Sequence, residues 1–338
     1  RKPLKLLQHS RFGAPLAVLE LLDVPEPVLG PHDVVVDVEA TPIHTGDLKN
    51  IAGEKLMLRH VKDGTNLQVA LPQVPGIEGV GRVVAVGSAV TRHAVGARVY
   101  LPRQCGSWRQ QIVADESRML PAPEGDPLQL CLMVNAFTAE LALQDLAPLQ
   151  PGDWFLQNAA NSNVGRVLIR LARARGIRTV NVVRRAELID ELLDLGADVV
   201  LLDGPDLAAR VQAAVAGAPL PVALDGLAGA AAGRLAECLS DGGTLANCGT
   251  MTGEPVEIPS WILLYRRIRV AGYYAGYRMQ ARSAEQQAAI ILELADQIAD
   301  GTIITPIAAT YPLERWREAV AHAERSGAER SGKVIFTP

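Results

Sequence analysis

Cysteine is scarce in this chain: four in 338 residues (Cys105, Cys131, Cys238 and Cys248), none of them at CxxC spacing. That excludes a disulfide framework and a four-cysteine metal knuckle, and predicts small buried hydrophobes in a reducing compartment. Positive charge is not in excess either. With 33 Lys and Arg against 37 Asp and Glu, the formal charge is −4, so neither nucleic acid nor an anionic membrane is expected as a partner. No apolar run reaches the roughly 18 residues of a membrane span. The start lacks the apolar region of a signal peptide, and Arg1-Lys-Pro-Leu-Lys-Leu-Leu reads as a first strand. Richness in Ala, Arg and Leu suggests a GC-rich bacterial genome, and these features together predict a cytoplasmic protein.

What is present describes a two-domain α/β chain. Its length exceeds what one core fills, and 49% hydrophobic with 21% charged residues is the balance of a globular enzyme. Up to about residue 120, short strands (Val34–Val38, Gly79–Val86, Ala97–Tyr100) alternate with Pro and Gly clusters, which predicts a strongly bent, barrel-like β domain. From Leu128 the pattern turns helical. Strands at Trp154–Gln157, Thr179–Val183, Val199–Leu202, Val222–Leu224, Gly243–Ala246 and Ile268–Ala271 then alternate with helices, the pattern of a doubly wound parallel sheet. Ser283 and Gly301 bracket an amphipathic helix. A strand near Ile304–Thr310, a helix from Leu313 and a last strand Lys333–Phe336 are expected to return to the first domain.

The most informative segment is Asp153-Trp-Phe-Leu-Gln-Asn-Ala-Ala-Asn-Ser-Asn-Val-Gly165, running into a helix and then the strand Arg178–Val183. A strand, a turn of small residues, a helix and a second strand make the first half of a dinucleotide-binding fold, whose helix start favours a pyrophosphate. The glycine fingerprint is degraded: Ser162 and Asn163 stand where glycines are common, and only Gly165 remains. Asn tolerates a left-handed turn, and small side chains at Ala159, Ala160 and Ser162 let a phosphate near the backbone. Asn161, Ser162, Asn163, Val164 and Gly165 are therefore the expected phosphate contacts. At the end of the second strand stand Arg184 and Arg185, with no acid until Glu187. Two guanidiniums suit the 2′-phosphate of NADPH, where an acidic residue would suit the ribose hydroxyl of NADH.

Several segments resemble the medium-chain dehydrogenase/reductase superfamily: Pro75-Gly-Ile-Glu-Gly-Val-Gly-Arg-Val-Val-Ala-Val-Gly87, Gly96-Ala-Arg-Val-Tyr100, Gly106-Ser-Trp-Arg-Gln-Gln111, Asn135-Ala-Phe-Thr-Ala139 and Leu149-Gln-Pro-Gly-Asp153. The phosphate segment looks most like the 2-enoyl thioester reductases, with zinc-free quinone oxidoreductases next. The resemblance implies a GroES-like β-rich catalytic domain (residues 1–122 and 275–338), a Rossmann domain (123–274), cofactor contacts at Asn135 and Thr138, and a place for Trp108 near the active-site cleft. It also implies a homodimer joined across the strand Ile268–Ala271. Catalytic zinc in this superfamily needs a thiolate near residues 43–45 and a His two positions after Pro75-Gly76. Here the letters are Ile43-His-Thr-Gly-Asp47 and Ile77, which leaves His44 and Glu78, too few for a tetrahedral site. The four-cysteine structural lobe is missing too, so no metal is expected.

Without a Lewis acid, the chemistry that fits is hydride addition from NADPH to a conjugated small molecule, an enoyl thioester or enone. The alternatives are an NADPH:quinone oxidoreductase and a non-catalytic NADPH-binding protein. The reductase branch implies a Tyr just after Ile51-Ala-Gly53, but this chain carries Lys55 there. The candidate proton donors are thus Lys55, His44, Tyr273, Tyr274 and Tyr277, with Asp47 and Glu78 expected to hold loops or pair with Arg. The segment 54–73, with Lys55, Arg59, His60 and Lys62 among apolar residues, is either a cationic lid for a CoA-type phosphate or a surface insertion.

Overall fold

A computed structural model describes residues 3–54, 70–325, 327 and 331–338. The chain divides into two compact units, one of Arg1–Met133 with Ile291–Pro338, the other of Val134–Ile290.

In the first unit, β1 (Leu4–His9) and β2 (Leu19–Val24) form an antiparallel ribbon. The ten-residue β3 (Asp33–Pro42) organises the rest. It pairs antiparallel with β4 (Val80–Val86), with β6 (Gln111–Asp115) and with the last strand, β15 (Lys333–Phe336). β5 (Arg98–Tyr100) and β7 (Leu120–Pro121) extend the sheet beyond β4, and β14 (Ile307–Tyr311) lies parallel to β15. Alternation along β3 sends Val34, Val36 and Val38 into one core with Val83, Val99 and Met119. Register shifts between Val35 and Val36 and between Val38 and Ala40 bend the strand, as the dense Pro/Gly punctuation implied. A second core gathers Leu7, Ile43, Ile51, Trp108, Trp316 and Phe336.

In the second unit, β8 (Trp154–Gln157), β9 (Arg178–Val183), β10 (Val199–Leu202), β11 (Val222–Asp225), β12 (Thr244–Asn247) and β13 (Arg269–Gly272) form one parallel sheet in the order β10-β9-β8-β11-β12-β13. The order reverses between β8 and β11, and ligands of such sheets bind outside the carboxyl ends of the strands at that switch point. Apolar strand residues (Trp154, Leu156, Val180, Leu245) pack with helix residues such as Val211 and Leu235. Inside the sheet, buried Gln157 and Asn181 satisfy one another: Gln157 Nε2 donates to Asn181 Oδ1 at 2.8 Å, and Asn181 Nδ2 donates to Thr179 Oγ1 and to the carbonyl of Val199. β13 is the sheet's edge strand, and all four of its residues are exposed.

The helix Ala284–Ala299 starts where Ser283 and Gln286 cap each other reciprocally, side chain to backbone N–H, and stops at Gly301 with φ +81°. The expected tail strand sits slightly later, at Ile307–Tyr311, and Leu313 opens with a 3₁₀ turn before the helix Trp316–Glu324. Of the cysteines, Cys131 and Cys238 are buried, but Cys248 is exposed, a departure from the expected burial. Among the described residues no helix is long and apolar enough to cross a membrane.

Candidate cofactor and catalytic sites

The turn after β8 is built as a helix start. Ser162 is the N-cap of the helix Asn163–Ala174, and its Oγ accepts from the Gly165 N–H at 3.1 Å. Asn163 and Val164 occupy the first two helical positions, whose amides have no intrahelical acceptor and stay free to donate to an anion. The Asn161 carbonyl accepts from Arg166 Nε, and Arg166 in turn pairs with Glu191 at 2.6 Å. The left-handed residue of this turn is not an asparagine, as the sequence had suggested, but Ala159 at φ +47°. Gly165 is obligatory for a different reason: a Cβ there would stand 2.5 Å from the Ala160 carbonyl oxygen, so only glycine lets helix and strand approach this closely.

At the end of β9, Arg184 is exposed and makes no ion pair or hydrogen bond to another described residue. Arg185 is half-buried and pairs with Glu187 at 3.1 Å. On the helix Met133–Asp145, Asn135 is buried, and its Nδ2 has no hydrogen-bond partner among the described residues. Such an orphaned amide is costly unless a ligand satisfies it. Three positions on, the Thr138 hydroxyl donates to the Val134 carbonyl at 2.6 Å. Its lone pairs remain able to accept.

Sequence reasoning missed the residues that hold the switch point. Asp225, fully buried at the end of β11, accepts from Asn158 Nδ2 at 2.6 Å, Asn247 Nδ2 at 2.8 Å and the amides of Leu227 and Ala228. Asn158 Oδ1 takes the Gly226 N–H. One carboxylate thus ties the carboxyl ends of β8, β11 and β12 together. It also holds Ala228 at φ +64°, ψ −157°, a conformation ordinarily left to glycine and stored as strain at functional sites. The available signal was an acid followed by glycine at the end of an apolar strand.

In the first unit, His44 caps the helix Thr45–Ala52, whose Asp47 reaches back to the His44 N–H at 2.9 Å. Both ring nitrogens are engaged: Nδ1 lies 2.8 Å from Lys333 Nζ and Nε2 lies 2.7 Å from Glu78 Oε1. An ammonium can only donate, so Nδ1 accepts, and Nε2–H donates to the Glu78 carboxylate. Burial, then Lys333, hold the imidazole well below its ordinary range, hence neutral. Burial pushes Asp47 up to about 7 against the pull of the backbone amides of His44, Gly76 and Ile77 and of Lys333. The Glu78 carbonyl is gripped by the hydroxyls of Thr41 at 2.9 Å and Ser107 at 2.7 Å. Glu78, expected either to hold a loop or to pair with an arginine, is paired with a histidine. Lys333, a lysine opening an apolar strand, was not foreseen.

The other candidates separate. Tyr273 is buried and its phenol donates to the Thr138 carbonyl at 2.7 Å; burial raises its pKa further, so it is a structural hydrogen-bonder. Tyr274 and Tyr277 are exposed and packed edge to face, 4.9 Å between centroids. Trp108, expected near a cleft, is fully buried: it stands edge-on to Phe336 and its Nε1 donates to the Pro42 carbonyl at 3.3 Å. Lys55 and most of the segment 54–73 lie outside the described residues.

Residues 30–124 match the alcohol dehydrogenase GroES-like domain family, and residues 163–290 match a family described as zinc-binding dehydrogenase. The mitochondrial enoyl-[acyl-carrier-protein] reductase of Rattus norvegicus is 32% identical over 325 residues, covering 94% of this chain and 84% of that protein. The chain belongs to the medium-chain dehydrogenase/reductase superfamily, among the relatives of these reductases. A Bacillus thuringiensis protein assigned as an NADPH:quinone reductase superposes with a TM-score of 0.88 at 26% identity, over 99% of each chain. An enoyl thioester reductase solved with NADP and crotonyl-CoA gives 0.86 over 100% of each chain; at 21% identity it speaks for the fold alone.

The zinc in one family's description does not fit the described residues at this position. Ile77 has no donor atom, both nitrogens of His44 are taken, and the Lys333 ammonium stands where an added cation would be repelled. Among the described residues no three His, Cys, Asp or Glu converge on a metal position.

Proposed function

We propose that this protein is an NADPH-dependent reductase of activated carbon–carbon double bonds, acting on enoyl thioesters or enones without zinc. The observation that carries the reading is the nucleotide face of the second unit. Free amides at Asn163 and Val164 offer a pyrophosphate cradle, and Arg184 with Arg185 stands at the end of the second parallel strand, where a 2′-phosphate is recognised. The orphaned Asn135 amide and the Thr138 hydroxyl are the polar groups left to orient the reactive end of the cofactor. Kinship with enoyl-[acyl-carrier-protein] reductases supports the substrate class.

NADPH, when bound, supplies a hydride. The protein must then stabilise negative charge on the substrate's carbonyl oxygen and see a proton delivered to its α-carbon. Tyr273 is already committed to Thr138 and His44 to Glu78, so Tyr274, Tyr277 and Lys55 carry the proposal as donors, with solvent water as the default. A quinone oxidoreductase is the second reading, favoured by the likeness to the Bacillus thuringiensis protein. The assignment of residues 1–122 and 275–338 to a catalytic domain and 123–274 to nucleotide binding belongs to the same proposal. So do a bacterial, cytoplasmic setting, argued from composition, and a homodimer formed across the exposed edge of β13.

NADPH consumption measured with crotonyl-CoA, a simple enone and a quinone decides among these. Turnover of crotonyl-CoA or the enone supports the proposal. Turnover of the quinone alone selects the second reading, and tight NADPH binding with no turnover marks a binding protein.

A further inference from the structure

We infer that Lys333 is a positioning residue, a resident cation on the last strand that fixes His44 as a neutral Nε2–H imidazole donating to Glu78. Its importance for turnover rests on the reductase reading above.

The sequence leaves one histidine and one glutamate where a zinc-dependent member of the superfamily keeps its ligands, and two ligands cannot hold the ion. In this chain the imidazole has other partners. Lys333 Nζ approaches His44 Nδ1 to 2.8 Å, and the opposite nitrogen meets Glu78 Oε1 at 2.7 Å. The imidazole sits between a cation that only donates and an anion that only accepts. Only one neutral tautomer satisfies both, and a proton added to Nδ1 would break the lysine contact and set two cations side by side.

Everything around the ring is fixed. Glu78 is buried, with its carbonyl held by Thr41 and Ser107. Just before it, Gly76 sits at φ +113°, where a Cβ would come within 2.3 Å of Ser107 Oγ. Three further titratable groups among the described residues face the cluster. Asp47, from the helix, is tied to backbone amides. Tyr100 on β5 and Cys131 after the helix Pro127–Leu130 face Glu78, and burial keeps both protonated. Because His44 is also the N-cap of Thr45–Ala52, the lysine fixes the start of that helix.

The test reads the imidazole itself. In ¹⁵N-histidine-labelled protein, the His44 resonances of the wild type should report a bare Nδ1 and a protonated Nε2 from about pH 5.5 to about pH 8.5. In Lys333→Met the ring keeps the carboxylate and loses the cation, so its titration midpoint should rise by at least about one pH unit. In Lys333→Arg, which keeps the charge, it should stay neutral. Turnover in Lys333→Met should gain an acid limb at the raised midpoint of the imidazole. A wild-type ring protonated at Nδ1 near neutrality overturns the inference with no variant required, as does an unshifted midpoint in a folded Lys333→Met. None of the imidazole readings needs NADPH or substrate, so a failure of the reductase reading would leave them standing.

Discussion

Arg184→Ala, Arg185→Ala and Glu187→Gln, made singly and together, should separate NADPH from NADH at the group by which the two differ. The structure makes the two arginines unequal. Arg184 is exposed and makes no ion pair or hydrogen bond to another described residue, so a 2′-phosphate would gain its full charge-assisted bond, about 1.5–3 kcal/mol. At about 1.4 kcal/mol per factor of ten, Arg184→Ala should weaken NADPH binding about 10- to 150-fold. Arg185 must first give up Glu187, which it meets at 3.1 Å with side chains 30% and 65% exposed. An exposed pair of this kind contributes about 0–1 kcal/mol, so Arg185→Ala should cost less, roughly 2- to 30-fold when the whole of that is offset. Glu187→Gln removes both the competitor and a like charge beside the phosphate, and should tighten NADPH several-fold. NADH should bind all variants alike. Calorimetric Kd values at low and raised salt would measure this, and the NADPH losses should shrink as salt screens the exposed charges. NADPH affinity unchanged in the double variant, or an equal loss for NADH, would refute the assignment.

Exhaustive chelation should leave turnover and melting temperature unchanged; stoichiometric zinc in the purified protein, with turnover lost on its removal, would show that His44 and Glu78 had been misread. Tyr273→Phe removes the bond to the Thr138 carbonyl and should cost about 1 kcal/mol in denaturant unfolding, with little effect on kcat. Steady-state kinetics should show a loss on the order of 10²-fold for Phe at whichever of Tyr274 and Tyr277 donates the proton, and less than tenfold for Lys55→Ala; a collapse in Lys55→Ala with normal NADPH binding makes the lysine the acid. His44 and Asp47 give opposite slopes to stability against pH. The folded pKa of His44 lies below its unfolded value of 6.5, so its contribution is present above that pH and fades as the pH falls. Asp47 has a folded pKa raised from 3.8 to about 7, so its contribution is present at low pH and is lost as the pH rises through that window. Denaturant midpoints across pH should therefore lose the alkaline-going decline in Asp47→Asn and keep it in His44→Gln; a decline that persists in Asp47→Asn assigns it elsewhere.

The sequence by itself determined what depends on neighbours along the chain. Buried parallel strands are short apolar runs bounded by breakers, and so Trp154–Gln157, Val199–Leu202 and Lys333–Phe336 were legible at their observed limits. Ser283 announced a helix start because a cap acts within three residues of itself. Two adjacent arginines at a strand end were legible for the same reason, and the NADPH preference argued from them is what the arginine variants test. Tertiary structure decided whatever depends on which distant groups meet. Lys333 stands 289 positions from the imidazole it meets, and Tyr273 stands 135 positions from the carbonyl that accepts its hydrogen bond. No local pattern encodes either pairing, although each removes a residue from the set of free acids. The turn after β8 falls between the two cases. Its composition favoured an asparagine in the left-handed position, but the close approach of Gly165 to the Ala160 carbonyl set the path of the chain, and the strain fell on Ala159. Propensity of a few tenths of a kcal/mol yields there to a backbone contact that cannot be compressed.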